Sequence, residues 1–311
     1  MSSTASDSHD HSQSEQPTRK PRRTYRDYPS NNKFFCHGRL ISGPDARYVV
    51  TTLFCIFAPI SLYFSTVVVY FIREIELGYI LIPFEALLLI FMCSALLKTS
   101  CVDPGIIPRQ RAPSGDAFNL PAPYKTIQIT CRGASIDYQC KYCDTCNLYR
   151  PVRAVHCGAC NSCIEKFDHH CPWIGNCIGA RNYKYFIMFL FAALLNTVYV
   201  QLTSLTELLY RVHLSEFRLA VRNPSSLIIV IYCTVCELVI LTLLGYHLRL
   251  IYLGVTTNEQ LKGTFQKGNP YSRGFFWNIT DVCCSSTPPT YVLWREKNAT
   301  TDAYSNKSQE V

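Results

Sequence analysis

The chain has 311 residues, enough for one large domain or two modest ones, with 48% hydrophobic residues, only 17% charged residues and a formal net charge of +8. So little charge argues against an ordinary soluble globular protein. The positive balance suits an anionic membrane face and argues against a nucleic-acid partner.

The first 47 residues are polar and basic, include the run Arg19-Lys20-Pro21-Arg22-Arg23, and contain no apolar stretch of the kind that opens a secretory signal peptide. Residues 1 to about 30 are rich in Ser, Gln, Asp and Arg and poor in large apolar side chains, a composition that predicts disorder. Four nearly uncharged apolar stretches follow: Val49 to Ile72, Gly78 to Leu97, Tyr185 to Leu205 and Ser226 to Tyr246. Each matches the roughly 20 residues a helix needs to cross about 30 Å of hydrocarbon. Buried helices of a soluble protein seldom run this long without a polar face. The sequence therefore predicts a mostly α, integral-membrane fold with four transmembrane helices.

Charge predicts the orientation. Eight Lys and Arg precede the first span, and eleven lie between Lys98 and Lys184. The connector between spans one and two carries only Arg73, and that between spans three and four only Arg211, Arg218 and Arg222. Basic residues favour the cytosolic side, so both termini and the long middle segment are expected there. Glu85, Asn196 and Glu237 fall inside spans; they either bond a neighbouring helix or serve a substrate directly. Cys55, Cys93, Cys233 and Cys236 read as small apolar helix residues.

Residues 140–177 hold eight cysteines and three histidines. The order is Cys140, Cys143-x2-Cys146, then His156-Cys157-x2-Cys160-x2-Cys163, then Asp168-His169-His170-Cys171, then Cys177. Seventeen cysteines on a reducing side point to metal or catalysis and not to disulfides. Cys-x2-Cys knuckles separated by longer loops suit tetrahedral zinc, and the stretch has too few apolar residues to hold a core without metal. Two zinc ions take eight ligands, which leaves three of the eleven candidates over. A surplus thiol beside a histidine and an aspartate has the parts of an activated nucleophile. A nucleic-acid zinc finger and a RING-type module fit the spacing poorly, and a purely structural zinc adaptor is the competing class.

The segment resembles the DHHC-type protein S-acyltransferases, integral-membrane enzymes that attach palmitate to cysteines of cytosolic proteins. The resemblance rests on Asp168-His169-His170-Cys171 in its cysteine spacing, the four spans and three flanking motifs. These are Asp103-Pro104-Gly105 after span two, Thr256-Thr257-Asn258-Glu259 after span four, and Asn269-Pro270-Tyr271 with Gly274 and Asn278. The resemblance implies zinc ligand sets of Cys143, Cys146, His156 and Cys163, and of Cys157, Cys160, His170 and Cys177, with Cys140 a bystander or alternative ligand. It implies Cys171 as nucleophile, His169 as its base and Asp168 as the group orienting the base. It further implies an acyl-CoA co-substrate, an acyl-Cys171 intermediate and a ping-pong cycle. Arg150, Arg153, Lys166, Arg181 and Lys184 are candidates for the CoA phosphates, and Trp173, Tyr183, Tyr185 and Phe186 for the headgroup level.

On this reading residues 1–47 are a cytosolic, largely disordered basic N-terminus, and 48–97 are spans one and two. Residues 98–184 form the cytosolic zinc-binding segment, 185–251 are spans three and four, and 252–311 carry the last two motifs and a disordered tail. The stretch Gly263 to Tyr271 and the pair Cys283-Cys284 before Pro288-Pro289 most resemble the branch that acylates Ras-like GTPases with a small accessory subunit. Such enzymes reside in endoplasmic reticulum or Golgi membranes, and their protein substrates carry membrane-proximal cysteines. Cys283 and Cys284 are positioned for S-acylation that would dock this region on lipid; a packed thiol pair and adventitious metal ligands are the alternatives.

Overall fold

Each apolar stretch is a helix, and each helix outruns its stretch. The computed structural model describes residues 22–74, 78–110, 121–131, 134–213, 224–265 and 268–297. Its four long apolar helices are Arg47–Glu74, Gly78–Cys101, Tyr183–His213 and Ser225–Leu253. A helix continues past its apolar window where tertiary contacts cover it. At the end of span four, His247, Leu250 and Ile251 are buried in this way. Span one contains a π-helical turn at Phe64–Val68, which shifts the side-chain register within one continuous helix.

Span three packs against spans two and four, and span one leans on span four. Apolar side chains such as Phe54, Ile80, Leu87, Val235 and Leu238 stay exposed, as expected of faces that meet lipid. Polar contacts inside the bundle join helices: Asn196 Nδ2 donates to Glu85 Oε1 at 2.8 Å. Farther along, Glu207 accepts from Ser226 Oγ at 2.5 Å and pairs with Arg211, whose guanidinium lies 4.0 Å from the Tyr70 ring centroid. In apolar surroundings each such group needs a partner from another helix or the next turn.

The segment between spans two and three is built of short antiparallel strands at one end of the bundle. They are β3 (Ile106–Ile107), β4 (Tyr124–Cys131), β5 (Ala134–Cys143), β6 (Leu148–Tyr149), β7 (Val155–Cys157), β8 (Ser162–Ile164), β9 (His169–Cys171) and β10 (Asn176–Ile178). β8 lies between β3 and β7, β5 between β4 and β6, and β9 pairs with β10. Ahead of span one, β1 (Lys33–Phe35) pairs with β2 (Leu40–Ser42).

Residues 22–46, grouped by composition with a disordered terminus, fold against this segment. Tyr28 and Ile41 are buried with Ile106, Cys160, Phe167 and Trp294. Tyr25 N donates to the Trp294 carbonyl at 3.0 Å and Thr24 N to the Glu296 carbonyl at 2.9 Å, so the two flanking stretches meet. Order here is tertiary: the segment's own polarity cannot form a core, but a few aromatic residues complete one supplied by the strands. Residues 1–21 and the tail after Lys297 lie outside the described residues.

Candidate active site and metal centres

Strand register brings the ligand types together. In the β7–β8 pair His156 sits opposite Cys163, and in β9–β10 His170 sits opposite Cys177. Each pair is joined by a Cys-x2-Cys knuckle. The result is two quartets, Cys143–Cys146–His156–Cys163 and Cys157–Cys160–His170–Cys177, with all ligand atoms in each within 4.8 Å of one another. Cys146, Cys160, Cys163 and Cys177 are fully buried.

The distances suit zinc. Zn–S near 2.3 Å and Zn–N near 2.0 Å in a tetrahedron give S···N edges of about 3.5 Å and S···S edges of about 3.8 Å. His156 Nδ1 lies 3.5 Å from Cys146 Sγ and 3.8 Å from Cys163 Sγ. His170 Nδ1 lies 3.8, 3.4 and 3.5 Å from the sulfurs of Cys157, Cys160 and Cys177. Six thiols and two imidazoles, with no carboxylate in either quartet, also favour zinc over magnesium or calcium. Cys140 is buried but belongs to neither quartet.

A strand turns successive side chains to opposite faces. His170 uses one face of β9 for the second quartet, so His169 and Cys171 share the other. There His169 Nδ1 lies 2.6 Å from Asp168 Oδ2, and the imidazole and the Cys171 thiol act on each other's ionisation. Burial opposes charge at all three groups, yet mutual contact prevails. Burial pushes the Asp168 carboxyl up, but His169 and the Thr257 amide hold it below its ordinary value. Burial pushes His169 down, but Asp168 and Cys171 bring it up to about 9. Burial pushes the Cys171 thiol up, but the His169 imidazole pulls it below its usual value. Both partners move in the same sense, toward a thiolate beside an imidazolium.

The motif after span four supplies the frame. Thr256 caps the helix Thr257–Lys262 in a capping box with Glu259. Thr257 donates to Asp168 twice, from N to Oδ1 and from Oγ1 to Oδ2, each at 2.8 Å. Glu259 receives Arg153 in a two-pronged pair, both contacts 2.6 Å, and Arg153 also donates to the Gly254 carbonyl at 3.1 Å. The Tyr271 ring lies 4.9 Å from the same guanidinium. Asn269 and Asn278 bond the last carbonyls of span four, at Leu253, Gly254 and Tyr252, groups a helix end leaves without partners. Asp103 accepts from the amides of Gly105 and Ile106, from Thr290 Oγ1 and from Trp294 Nε1.

A cavity of ≈250 Å³ opens beside Asp168, and Arg153, Lys166, Arg181 and Lys184 line it. Arg150 is not among its lining residues. Two of the cations are held by the segment beyond the C-terminal helix Phe275–Cys283: Arg181 donates to the Pro288 carbonyl and Lys184 to that of Ser285. Trp173 is exposed, and so are Cys283 and Cys284.

Two residues escaped the sequence reading. His247, in span four, has its ring centroid 5.9 Å from that of His169, tilted by 37°, and its Nδ1 3.1 Å from Tyr183 Oη. Asp45, just ahead of span one, has Oδ2 3.0 Å from His170 Nε2. A histidine near the end of a span was the one available signal for the first; nothing local marks the second.

The profile of the family described as DHHC palmitoyltransferase matches residues 136–264. The chain is 34% identical over 294 residues to human palmitoyltransferase ZDHHC18, covering 88% of this chain and 74% of that protein. It is 37% identical over 297 residues to probable protein S-acyltransferase 2 of Arabidopsis thaliana, covering 89% of this chain and 71% of the relative. With Arabidopsis protein S-acyltransferase 8 it shares 35% identity over 289 residues, 86% of this chain and 70% of the relative.

Proposed function

Since the chain belongs to the DHHC palmitoyltransferase family, we propose that it moves a long-chain acyl group from acyl-CoA to Cys171 and then to protein cysteines. The observation that carries this reading is the Asp168–His169–Cys171 series on the face of β9 opposite the metal quartet. The Cys171 thiolate attacks the thioester carbonyl; its bond to carbon forms, the carbon–sulfur bond of CoA breaks, and His169 gives its proton to the departing thiolate. In the second half a substrate thiol gives its proton to His169 and its sulfur bonds to the acyl carbon, and the bond from that carbon to Cys171 sulfur breaks, which restores the Cys171 thiolate beside the imidazolium. Asp168 holds the imidazole upright and offsets its charge throughout, and Thr257 holds Asp168. The two quartets are zinc sites that fold the segment.

The cavity beside Asp168 suits the CoA phosphates, with Lys166, Arg181 and Lys184 as the cations nearest to hand. The acyl chain lies among the spans, where each buried methylene contributes about 0.8 kcal/mol. Substrates are proteins with membrane-proximal cysteines, Ras-like GTPases among them, with a small accessory subunit as partner and endoplasmic reticulum or Golgi as the membrane. Incubation of purified protein with labelled palmitoyl-CoA tests the reaction. A protein-bound label released by hydroxylamine is expected, because hydroxylamine cleaves thioesters and spares amides; a label that resists it, or none, rules the reading out.

We place the zinc segment and both termini in the cytosol. Of the 30 basic residues, only Arg73, Arg211, Arg218 and Arg222 lie in the two short opposite connectors. Glycosylation tags inserted between residues 111 and 120 are expected to stay unmodified, and tags beside Arg218 to be modified. Modification of the first tag reverses the orientation.

A further inference from the structure

The stretch ahead of span one and the first turns of that span are bound to the turn that follows Cys171. Ser42 Oγ donates to the Gly175 carbonyl at 3.2 Å, Asn176 Nδ2 to the Ile41 carbonyl at 3.2 Å, and Thr52 Oγ1 to the Trp173 carbonyl at 2.8 Å. Gly175 has φ +72, and a Cβ there would lie 2.9 Å from Ala46 Cα and 3.0 Å from the Asp45 carbonyl oxygen. The two backbones therefore touch. At this seam Asp45 Oδ2 lies 3.0 Å from His170 Nε2, while His170 Nδ1 faces the three thiols of its quartet. The two side chains are 29% and 14% exposed, so the contact is partly shielded from water.

An imidazole that binds metal through one nitrogen carries its proton on the other. A carboxylate that accepts this proton fixes the ring's tautomer and orientation and strengthens it as a ligand. We infer that Asp45 is a positioning residue of the second quartet: it accepts the Nε2 proton of His170 and so steadies the strand that presents His169 and Cys171 on its other face. Among the described residues no carboxylate pairs with His156 in this way, so the effect is confined to one quartet. The inference rests on the zinc reading of both quartets. It makes the segment ahead of span one a part of the catalytic unit, through a residue 125 positions away from its partner.

A competing role for Asp45 is electrostatic. It precedes the helix beginning at Arg47, where negative charge favours the helix dipole. The two roles separate by substitution, since Asn lacks the charge but its amide oxygen still accepts the imidazole proton. Full-length protein purified in detergent, with zinc release into a chromophoric chelator followed over time, tests them. Wild type is expected to hold two zinc ions, and Asp45→Ala to release one of them about 10–100-fold faster with the other unchanged. Asp45→Asn is expected to recover part of that retention, and acyl-enzyme yield to follow the same order. Wild-type release of both ions from Asp45→Ala, parallel loss of both, or identical behaviour of the Ala and Asn variants would overturn the inference. Wild-type protein holding fewer than two zinc ions would overturn the zinc reading itself and this inference with it.

Discussion

Cys171→Ser protein is expected to retain both zinc ions and the wild-type fold while forming no detectable acyl-enzyme. Cys171 lies in neither quartet, and its side chain shares a face with His169 and not with the ligand His170. Serine fits the same space, but its hydroxyl does not ionise near neutral pH and attacks a thioester far more slowly than a thiolate. Cys146→Ser and His156→Ala are expected to do the reverse of sparing the fold. Cys146 is fully buried, β3, β6, β7 and β8 beside it are only two to three residues long, and metal binding there is folding energy. Zinc content should fall from two ions to about one or fewer, and thermal stability and acylation should fall with it. Metal analysis, thermal unfolding and labelled palmitoyl-CoA on the same preparations distinguish the cases. Zinc loss and unfolding in Cys171→Ser comparable to Cys146→Ser would make Cys171 a ligand and end the enzymatic assignment of this residue.

Arg153→Ala is expected to be nearly as damaging, though Arg153 is neither ligand nor nucleophile. Its guanidinium and the Glu259 carboxylate are 11% and 7% exposed and meet through two 2.6 Å contacts. Removing one partner of a buried ion pair leaves the other charged, desolvated and alone, at a cost of about 3–5 kcal/mol. Glu259 is also half of the capping box that starts the helix Thr257–Lys262, and Thr257 in that first turn holds Asp168. Loss of the pair therefore loosens the orientation of His169 at a distance. Arg153→Lys keeps the charge but not the two-pronged geometry, so an intermediate loss is expected. Removing both partners in Arg153→Met/Glu259→Leu should restore part of the stability without restoring acylation, because the helix then lacks the Glu259 half of its capping box. Thermal unfolding in detergent and acyl-enzyme formation measure the two effects. An unchanged unfolding midpoint in Arg153→Ala would show that the pair does not hold this helix to the zinc segment.

How much of this was legible in the sequence follows from how local each signal is. Four membrane crossings were readable because hydrocarbon demands about 20 apolar residues in a row, and a window of that length sees the whole cause. The eight Cys and His that gather in the two quartets were nameable because each knuckle spans only three or four positions, although their partition came from family resemblance. Helix ends were less legible. Span four runs to Leu253, seven residues beyond its apolar stretch, because His247, Leu250 and Ile251 are buried against other parts of the chain. The candidate phosphate cations were named by charge alone, and the fold selected among them, placing four around one cavity and leaving out Arg150.

The sequence by itself determined the four spans, the distribution of basic charge, the metal-binding residue types and the Asp-His-His-Cys series, each a matter of composition or short spacing. Tertiary structure alone decided what holds that series in place. Asp168 meets Thr257 across 89 residues, Arg153 meets Glu259 across 106, and His170 meets Asp45 across 125. No spacing rule encodes such pairs. They exist because packing of the spans brings the ends of helices, where backbone groups lack partners and charges are tolerated, to the one face of the bundle that carries the zinc segment.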